Sequence, residues 1–349
     1  MAARHVLVTG VGRDLGAAFA RVLSDEPAVA RIVGVDVTEP KGDLGRAEFI
    51  RSQTRSPLLA KTLSDAAIDT VVHLGLVPTA GVVGSRGAMK ETNVIGSMQL
   101  LAACHSAPTV RRLIVRSSTQ VYGASPRDPA VFSESFEPQR LPASGFARDV
   151  AEVEGYVRGF SRRRPDVDVT ILRFTNIVGP QVESVLGRYF ALPVTPTMFG
   201  FDPRIQLVHA DDVLEVLRRA VCGGSTGEHP TSVHNVAGDG VLYLSQALRR
   251  LGRVPIPLAP AMYSVAGRLT RALGLSDFAP EQLRFLSYGR IVDATRLVTE
   301  FGYTPRFSTA AAFEDLAARQ TGTAVAPGIV AAAEAALVSL LPSRRRADG

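Results

Sequence analysis

The chain has 349 residues, 46% hydrophobic and 21% charged, enough apolar material for one large core or two closely joined ones. Its net charge of +6 is carried almost wholly by arginine, since Lys41, Lys61 and Lys90 are the only lysines; no dense basic run with interleaved aromatics occurs in the body, which argues against nucleic-acid binding. Cys104 and Cys222 are the only cysteines, so a disulfide scaffold and a cysteine metal site are excluded, no metal is expected, and the usage fits a reducing cytoplasm. The first strand begins within a few residues, leaving no room for a signal peptide, and no run of about 18 apolar residues suggests a membrane span.

The first 36 residues read as strand, glycine turn, helix, strand and terminal acid. His5 to Val8 is a short apolar run, Thr9 to Gly16 (TGVGRDLG) a glycine-bearing turn, and Ala17 to Leu23 a helix. Arg31 to Val35 is a second strand, ending on Asp36. Such a unit brings free backbone N–H groups and the positive end of a helix to one point, where a pyrophosphate can sit. An acid about 20 residues beyond the glycines is placed to hold ribose hydroxyls, which favours NAD over its 2′-phosphorylated form.

A polar loop and a strand at Glu48 to Arg51 follow, then a helix from Leu58 to Ala67 and a buried strand, Thr70 to Gly75, running into a glycine-rich loop. Met89 to His105 is a long helical pattern containing Asn93, and Arg112 to Arg116 is a strand ending in Ser117-Ser118-Thr119. After a proline-bearing loop from Ala124 to Ala143, Gly145 to Arg163 reads as a helix and Val167 to Phe174 as a strand. Strands alternating with helices of this length imply right-handed crossovers and a doubly wound parallel α/β sheet. Ligands collect at the carboxyl ends of such strands, where Gly10, Asp36, Gly75 and Ser118 all fall.

The later part is less regular. Arg188 to Phe199 is broken by proline, Ile205 to Val208 and Val233 to Val236 are strands, and Ala210 to Ala220 is a helix opened by Asp211 and Asp212. A helix with a proline-rich exit spans Leu244 to Pro260, and Glu281 to Tyr303 and Ser308 to Arg319 complete the body. Gly328 to Leu341 is an alanine- and leucine-rich stretch followed by three arginines. It is too short to span a bilayer and has no aromatic anchor, so packing or fraying is favoured over peripheral membrane contact.

Several motifs, in order, resemble one family, the extended short-chain dehydrogenases/reductases of the NAD-dependent epimerase/dehydratase type, which includes UDP-glucose 4-epimerase. The glycine turn resembles TGxxGxxG, with Thr9, Gly10 and Gly16 matching and Arg13 standing at the middle glycine. VVHLG at 71–75, NVIGS at 93–97, SSTQVYG at 117–123, RFTNIVGP at 173–180, VHADD at 208–212 and the segment from Asp293 to Pro305 resemble further family signatures. The resemblance implies a Rossmann domain over 1–180, with 205–238 returning to it. It implies a smaller substrate-binding part from 181–204 and 239–320, and it leaves 321–349 as a helical, basic tail. It places Gly10, Gly12, Arg13, Leu15, Gly16, Asp36, Gln53, Leu74, Gly75 and Asn93 around NAD. Asn176, Arg204 and Arg290 would meet a nucleotide-sugar, and Ser118 would bind the reacting sugar hydroxyl. It also implies a homodimer through helices 89–105 and 146–163.

One departure concerns the chemistry. The family uses a tyrosinate base with a lysine four residues on, a spacing that puts both on one helix face. With Glu154 matching the family's acid eight residues after that tyrosine, Phe146 stands at the tyrosine position and Val150 at the lysine position, and no lysine follows Lys90. Arg148 lies about 200° around the axis from Phe146. Gln53 stands where the family often has an adenine-binding acid, and Arg13 either pairs with the phosphates or obstructs them. Two readings follow: an oxidoreductase or isomerase whose base is Tyr122, Asp149 or a water, or a pseudoenzyme that binds a dinucleotide or nucleotide-sugar for sensing or scaffolding.

Overall fold

The computed structural model describes residues 3–52, 57–138, 142, 144–180, 182, 184–192, 194–223, 231–259 and 280–320. Gln53 and the 321–349 tail, with its expected helix, lie outside them. The centre is a seven-stranded sheet of β1 (Arg4–Thr9), β2 (Val29–Asp36), β3 (Glu48–Arg51), β4 (Thr70–His73), β5 (Arg112–Ser118), β6 (Asp168–Phe174) and the strand Thr231–Val236. From one edge the order is Thr231–Val236, β6, β5, β4, β1, β2, β3, and every pairing is parallel. Chain direction across the sheet reverses at β1, between β2 and β4, which opens a crevice at the carboxyl end.

These strands read as apolar runs because helices cover both faces. Alternation sorts their side chains into two layers. Leu7, Val71, Leu113 and Val115 pack with Leu100, Cys104 and Val153 on one face. Val8, Val72 and Ile114 pack with Phe19, Leu23 and Val213 on the other. A third apolar cluster, around Tyr189, Phe190, Leu207, Leu248 and Phe313, stands beyond the sheet.

The helix expected over Met89 to His105 runs as Arg86–Lys90, a π turn at Glu91–Ile95 and Gly96–Ser106. A π turn of this kind often marks a position where a helix serves a site, and here it carries Asn93. The helix expected to continue from Leu244 toward Pro260 stops at Arg250. Pro255 and Pro257 cannot continue a helix, and Val254–Leu258 instead pairs in parallel with Val194–Met198, in a two-stranded sheet whose edges tolerate proline. The segment from Glu281 to Tyr303 resolves into the helices Pro280–Tyr288 and Thr295–Thr299. As expected for a helix start, His209 caps Ala210–Cys222, its Nδ1 accepting the Asp211 N–H. Asp212 accepts the Tyr303 hydroxyl and the N–H groups of Arg306 and Phe307.

One buried network ties five elements together. Glu154, on the helix Gly145–Arg163, accepts Arg173 Nε at 2.9 Å and Nη2 at 2.6 Å, and the Ser117 hydroxyl at 2.5 Å. Arg173 Nη1 donates to the Tyr122 oxygen, and Tyr122 donates on to Asn235 Oδ1 at 2.7 Å. Both Glu154 and Arg173 are buried, and the paired carboxylate raises the guanidinium pKa despite burial. Glu154→Ala would strand a buried cation, at a cost of about 3–5 kcal/mol. Urea denaturation should show a loss of that size; a loss under about 1 kcal/mol would contradict the stabilising role.

Candidate functional site

Close packing explains the glycine turn. Gly10 follows β1 at φ +84°, a conformation that favours glycine, and a Cβ there would lie 2.8 Å from the Gly75 Cα. A Cβ at Gly16 would lie 2.1 Å from the Gly10 carbonyl oxygen, and one at Gly12 would lie 2.4 Å from that of Thr38. The turns after β1, β2 and β4 therefore meet at one point. The helix Asp14–Ser24 starts there with Arg13 as its N-cap and no side-chain cap bond. Its first N–H groups are thus available to an anion.

Asp36 closes one side of this cradle. Its Oδ2 accepts the Gly12 N–H at 3.0 Å and its Oδ1 the Thr38 N–H at 3.1 Å. A carboxylate has about four lone-pair sites, so each oxygen retains capacity for a ribose hydroxyl. The glycines, the helix terminus and Asp36 fit the adenosine-diphosphate half of a dinucleotide.

Arg13 reaches over the crevice, where its Nη1 donates to the Gly75 and Leu76 carbonyl oxygens at 3.1 and 3.2 Å. Burial lowers its pKa, opposed by Asp36. The parallel register His73↔Val115 sets Arg116 level with Leu74, and alternation turns Arg116 to the same layer as Ile114 and Phe19. The Arg116 side chain has no hydrogen bond or ion pair among the described residues. Burial and the nearby Arg13 charge push its pKa down to about 10. Arg116 was missed in the sequence, where the available signal was an arginine at an inward parity of a buried parallel strand.

Beneath the cradle, His73 Nδ1 lies 2.8 Å from Thr9 Oγ1 and its Nε2 lies 2.8 Å from Ser97 Oγ. Ser97 donates to the Asn93 carbonyl, so it accepts from His73, which therefore carries its proton on Nε2. Thr9 then donates to Nδ1 while accepting the Gly75 N–H. Asn93 is fully buried. Its Oδ1 accepts the Val77 N–H, and its Nδ2 donates to the Val77 carbonyl and to Asp149. Asn93 thus holds the loop after β4 in place.

On the helix Gly145–Arg163, Val150 is fully buried in an apolar layer and Phe146 packs against the same layer. Asp149 is fully buried and is gripped by Arg86 through Nη1 at 2.7 Å and Nη2 at 2.5 Å. Burial raises the Tyr122 pKa, and its hydroxyl is engaged at both roles by Asn235 and Arg173. Ser118 sits half-buried at the end of β5, its Oγ accepting the Gln120 N–H at 3.2 Å. That bond leaves its own proton to donate. Arg148 pairs with Glu152 on the outer face.

Arg204 and Arg290 come together around a cavity of about 190 Å³. Arg204 Nη2 donates to the Ala130 carbonyl and Arg290 Nε to the Gly123 carbonyl, each at 2.7 Å. Asn176 lies apart from the cavity lining, its Nδ2 3.4 Å from the Gln206 carbonyl. Among the described residues, no helix is long and apolar enough to cross a membrane.

The family model for the NAD dependent epimerase/dehydratase family matches residues 6–237. The chain belongs to that family. An uncharacterised Mycobacterium tuberculosis protein is 44% identical over 314 residues, covering 89% of this chain and 82% of its own. The UDP-glucose 4-epimerase of Yersinia pestis is 34% identical over 139 residues, 40% of this chain and 39% of its own. MoeE5, solved with UDP-glucuronic acid and NAD, superposes with a TM-score of 0.70 at 20% identity over 91% of this chain and 100% of its own. UDP-glucuronic acid 4-epimerase from Bacillus cereus, solved with UDP-glucuronic acid and NAD, superposes at 0.68 and 18% identity, over 89% and 98%. At these identities the likeness of the solved structures to this family member is one of fold.

Burial and the Arg13 charge push the His73 pKa down to about 4. In the unfolded chain histidine titrates near 6.5, so below that pH the unfolded state binds the extra proton. The associated stability is complete above about pH 6.5 and falls between 6.5 and 4, by up to about 3 kcal/mol. Urea midpoints at pH 7 and pH 4.5, with the His73 ring signal followed by NMR, check this; a His73 titration near 6.5 would contradict it.

Proposed function

We propose that this family member binds NAD in the β1–β2–β4 crevice and a nucleotide-sugar in the adjoining cleft, and that it does so without Tyr–Lys proton abstraction. The observation that carries the reading is the apolar face of the helix Gly145–Arg163, where Phe146 and Val150 occupy the positions that the family resemblance gives to the base and its lysine. Phenylalanine has no proton to exchange. The two alternative carboxyl or phenol bases are engaged elsewhere, Asp149 by Arg86 and Tyr122 by Arg173 and Asn235. Losing a general base forfeits about 10²–10⁴ in rate.

Bound NAD would supply a hydride acceptor. The chain's own residues would position it: Gly10, Gly12 and Gly16 admit the diphosphate, the helix N-terminus and Arg13 and Arg116 offset its charge, and Asp36 takes ribose hydroxyls. Leu15, Leu74 and Gly75 line the approach. Ser118 would orient a sugar hydroxyl without removing its proton, and Arg204 and Arg290, with Asn176, would meet the sugar-linked diphosphate. The third apolar cluster supports a separate substrate-binding part. Exposed Ile95, Met98 and Tyr156 on the two long helices support a homodimer, which burial of those side chains would stabilise; a monomer mass in solution at micromolar concentration would oppose it.

Calorimetric titration should show binding of NAD⁺ and of UDP-glucose with no NADH formed when both are present. Arg116→Ala should weaken NAD⁺ about tenfold or more, as loss of a charge-assisted contact does, and leave adenosine unaffected. Native NADH formation on sugar addition would overturn the binding-only reading. Activity gained by Phe146→Tyr with Val150→Lys, and absent from the native chain, would support it.

A further inference from the structure

The cavity at Arg204 and Arg290 contains a carboxylate that none of the roles above employs. Asp128 lines it, together with Ser125 and Tyr288. The Oδ2 atom of Asp128 is buried and has no hydrogen-bond partner among the described residues. A buried acceptor left without a donor is uncommon in folded proteins. Burial raises the Asp128 pKa, opposed by a backbone hydrogen bond at Ser125 and then by the Arg290 charge.

Among the described residues each guanidinium donates one hydrogen bond, Arg204 through Nη2 to the Ala130 carbonyl and Arg290 through Nε to the Gly123 carbonyl, and Arg290 also lies over the Phe285 ring. A guanidinium has five N–H donors, so each fork keeps donors for an anion. The space of about 190 Å³ is smaller than an ordinary whole-ligand pocket, which suits a phosphate with part of a sugar ring. A phosphate alone would set its negative charge near Asp128 and offer it no donor. A phosphate joined to a hydroxyl-bearing ring would satisfy the arginines and the orphan oxygen together.

We infer that Asp128 is a specificity-determining residue that accepts a hydrogen bond from a ring hydroxyl of the ligand whose phosphate Arg204 and Arg290 hold. This rests on the nucleotide-sugar reading above. The ring is either the ribose or the sugar of a nucleotide-sugar. Rejection of bare phosphates then comes from the repulsive half of the same contact.

Calorimetry of the full chain with UDP-glucose, UDP and inorganic pyrophosphate tests it. Asp128→Ala should weaken UDP-glucose about tenfold or more while leaving pyrophosphate unchanged or tighter. Asp128→Asn keeps an acceptor oxygen without the charge and should recover part of the UDP-glucose affinity; it also serves if the alanine variant fails to fold. UDP distinguishes the ring: weakened with UDP-glucose, it indicates the ribose, and unchanged, the sugar. Equal weakening of all three probes would reduce Asp128 to a loop-holding residue and overturn the inference, as would a UDP-glucose affinity that ignores the substitution. Native chain that binds none of the probes would overturn the nucleotide-sugar reading and this inference together.

Discussion

Everything at the candidate site depends on three backbone turns approaching more closely than side chains allow. The turns after β1, β2 and β4 converge because Gly10, Gly12 and Gly16 carry no Cβ; at each of the three, an added methyl would stand within 3 Å of backbone. That contact sets the helix Asp14–Ser24 against the sheet and points its free N–H groups into the crevice. It also brings Asp36 within hydrogen-bond reach of the Gly12 N–H. His73 braces the same junction from below through Thr9 and Ser97.

Charge in the crevice is arranged for an anion. Arg13 and Arg116 approach it from two different elements, and burial lowers the pKa of both. Arg13 rests on two carbonyl oxygens, and the Arg116 side chain has no partner among the described residues. Desolvated like charges side by side are unfavourable alone and favourable around a phosphate. On the other face of the sheet, the helix Gly145–Arg163 presents an apolar face, with Val150 and Phe146 in the layer of Leu113 and Val115. On the proposed reading, recognition and chemistry are therefore separable in this fold: the binding elements lie on the β1–β2–β4 side and the reactive dyad would lie on the helix.

The Glu154 network ties that helix to the sheet through polar contacts that do not involve positions 146 and 150. Glu154 binds Arg173, Arg158 and Ser117, and through Arg173 it reaches Tyr122 and Asn235. Together with the Arg86–Asp149 pair, it positions the helix against β5, β6 and the loop after β4. These polar contacts use neither Phe146 nor Val150, whose side chains add apolar packing to the same helix.

Periodicity and punctuation made much of this legible. The parallel sheet follows from apolar runs alternating with amphipathic helices, and the cradle from three glycines placed between a strand and a helix. Proline cost accuracy beyond Leu244, since Val254–Leu258 finds its strand partner in Val194–Met198, far away in sequence. Asn93, which the resemblance places beside the cofactor, ties its amide to Val77 and Asp149, contacts that no local pattern reveals. Local sequence by itself determined the fold class, the cradle and the residue types at 146 and 150, because these depend on neighbours within a turn or a strand. Only the tertiary structure decided that Arg116 stands beside Arg13 and that Asp128 shares a cavity with Arg204 and Arg290, because those meetings depend on strand register and loop packing between residues dozens of positions apart.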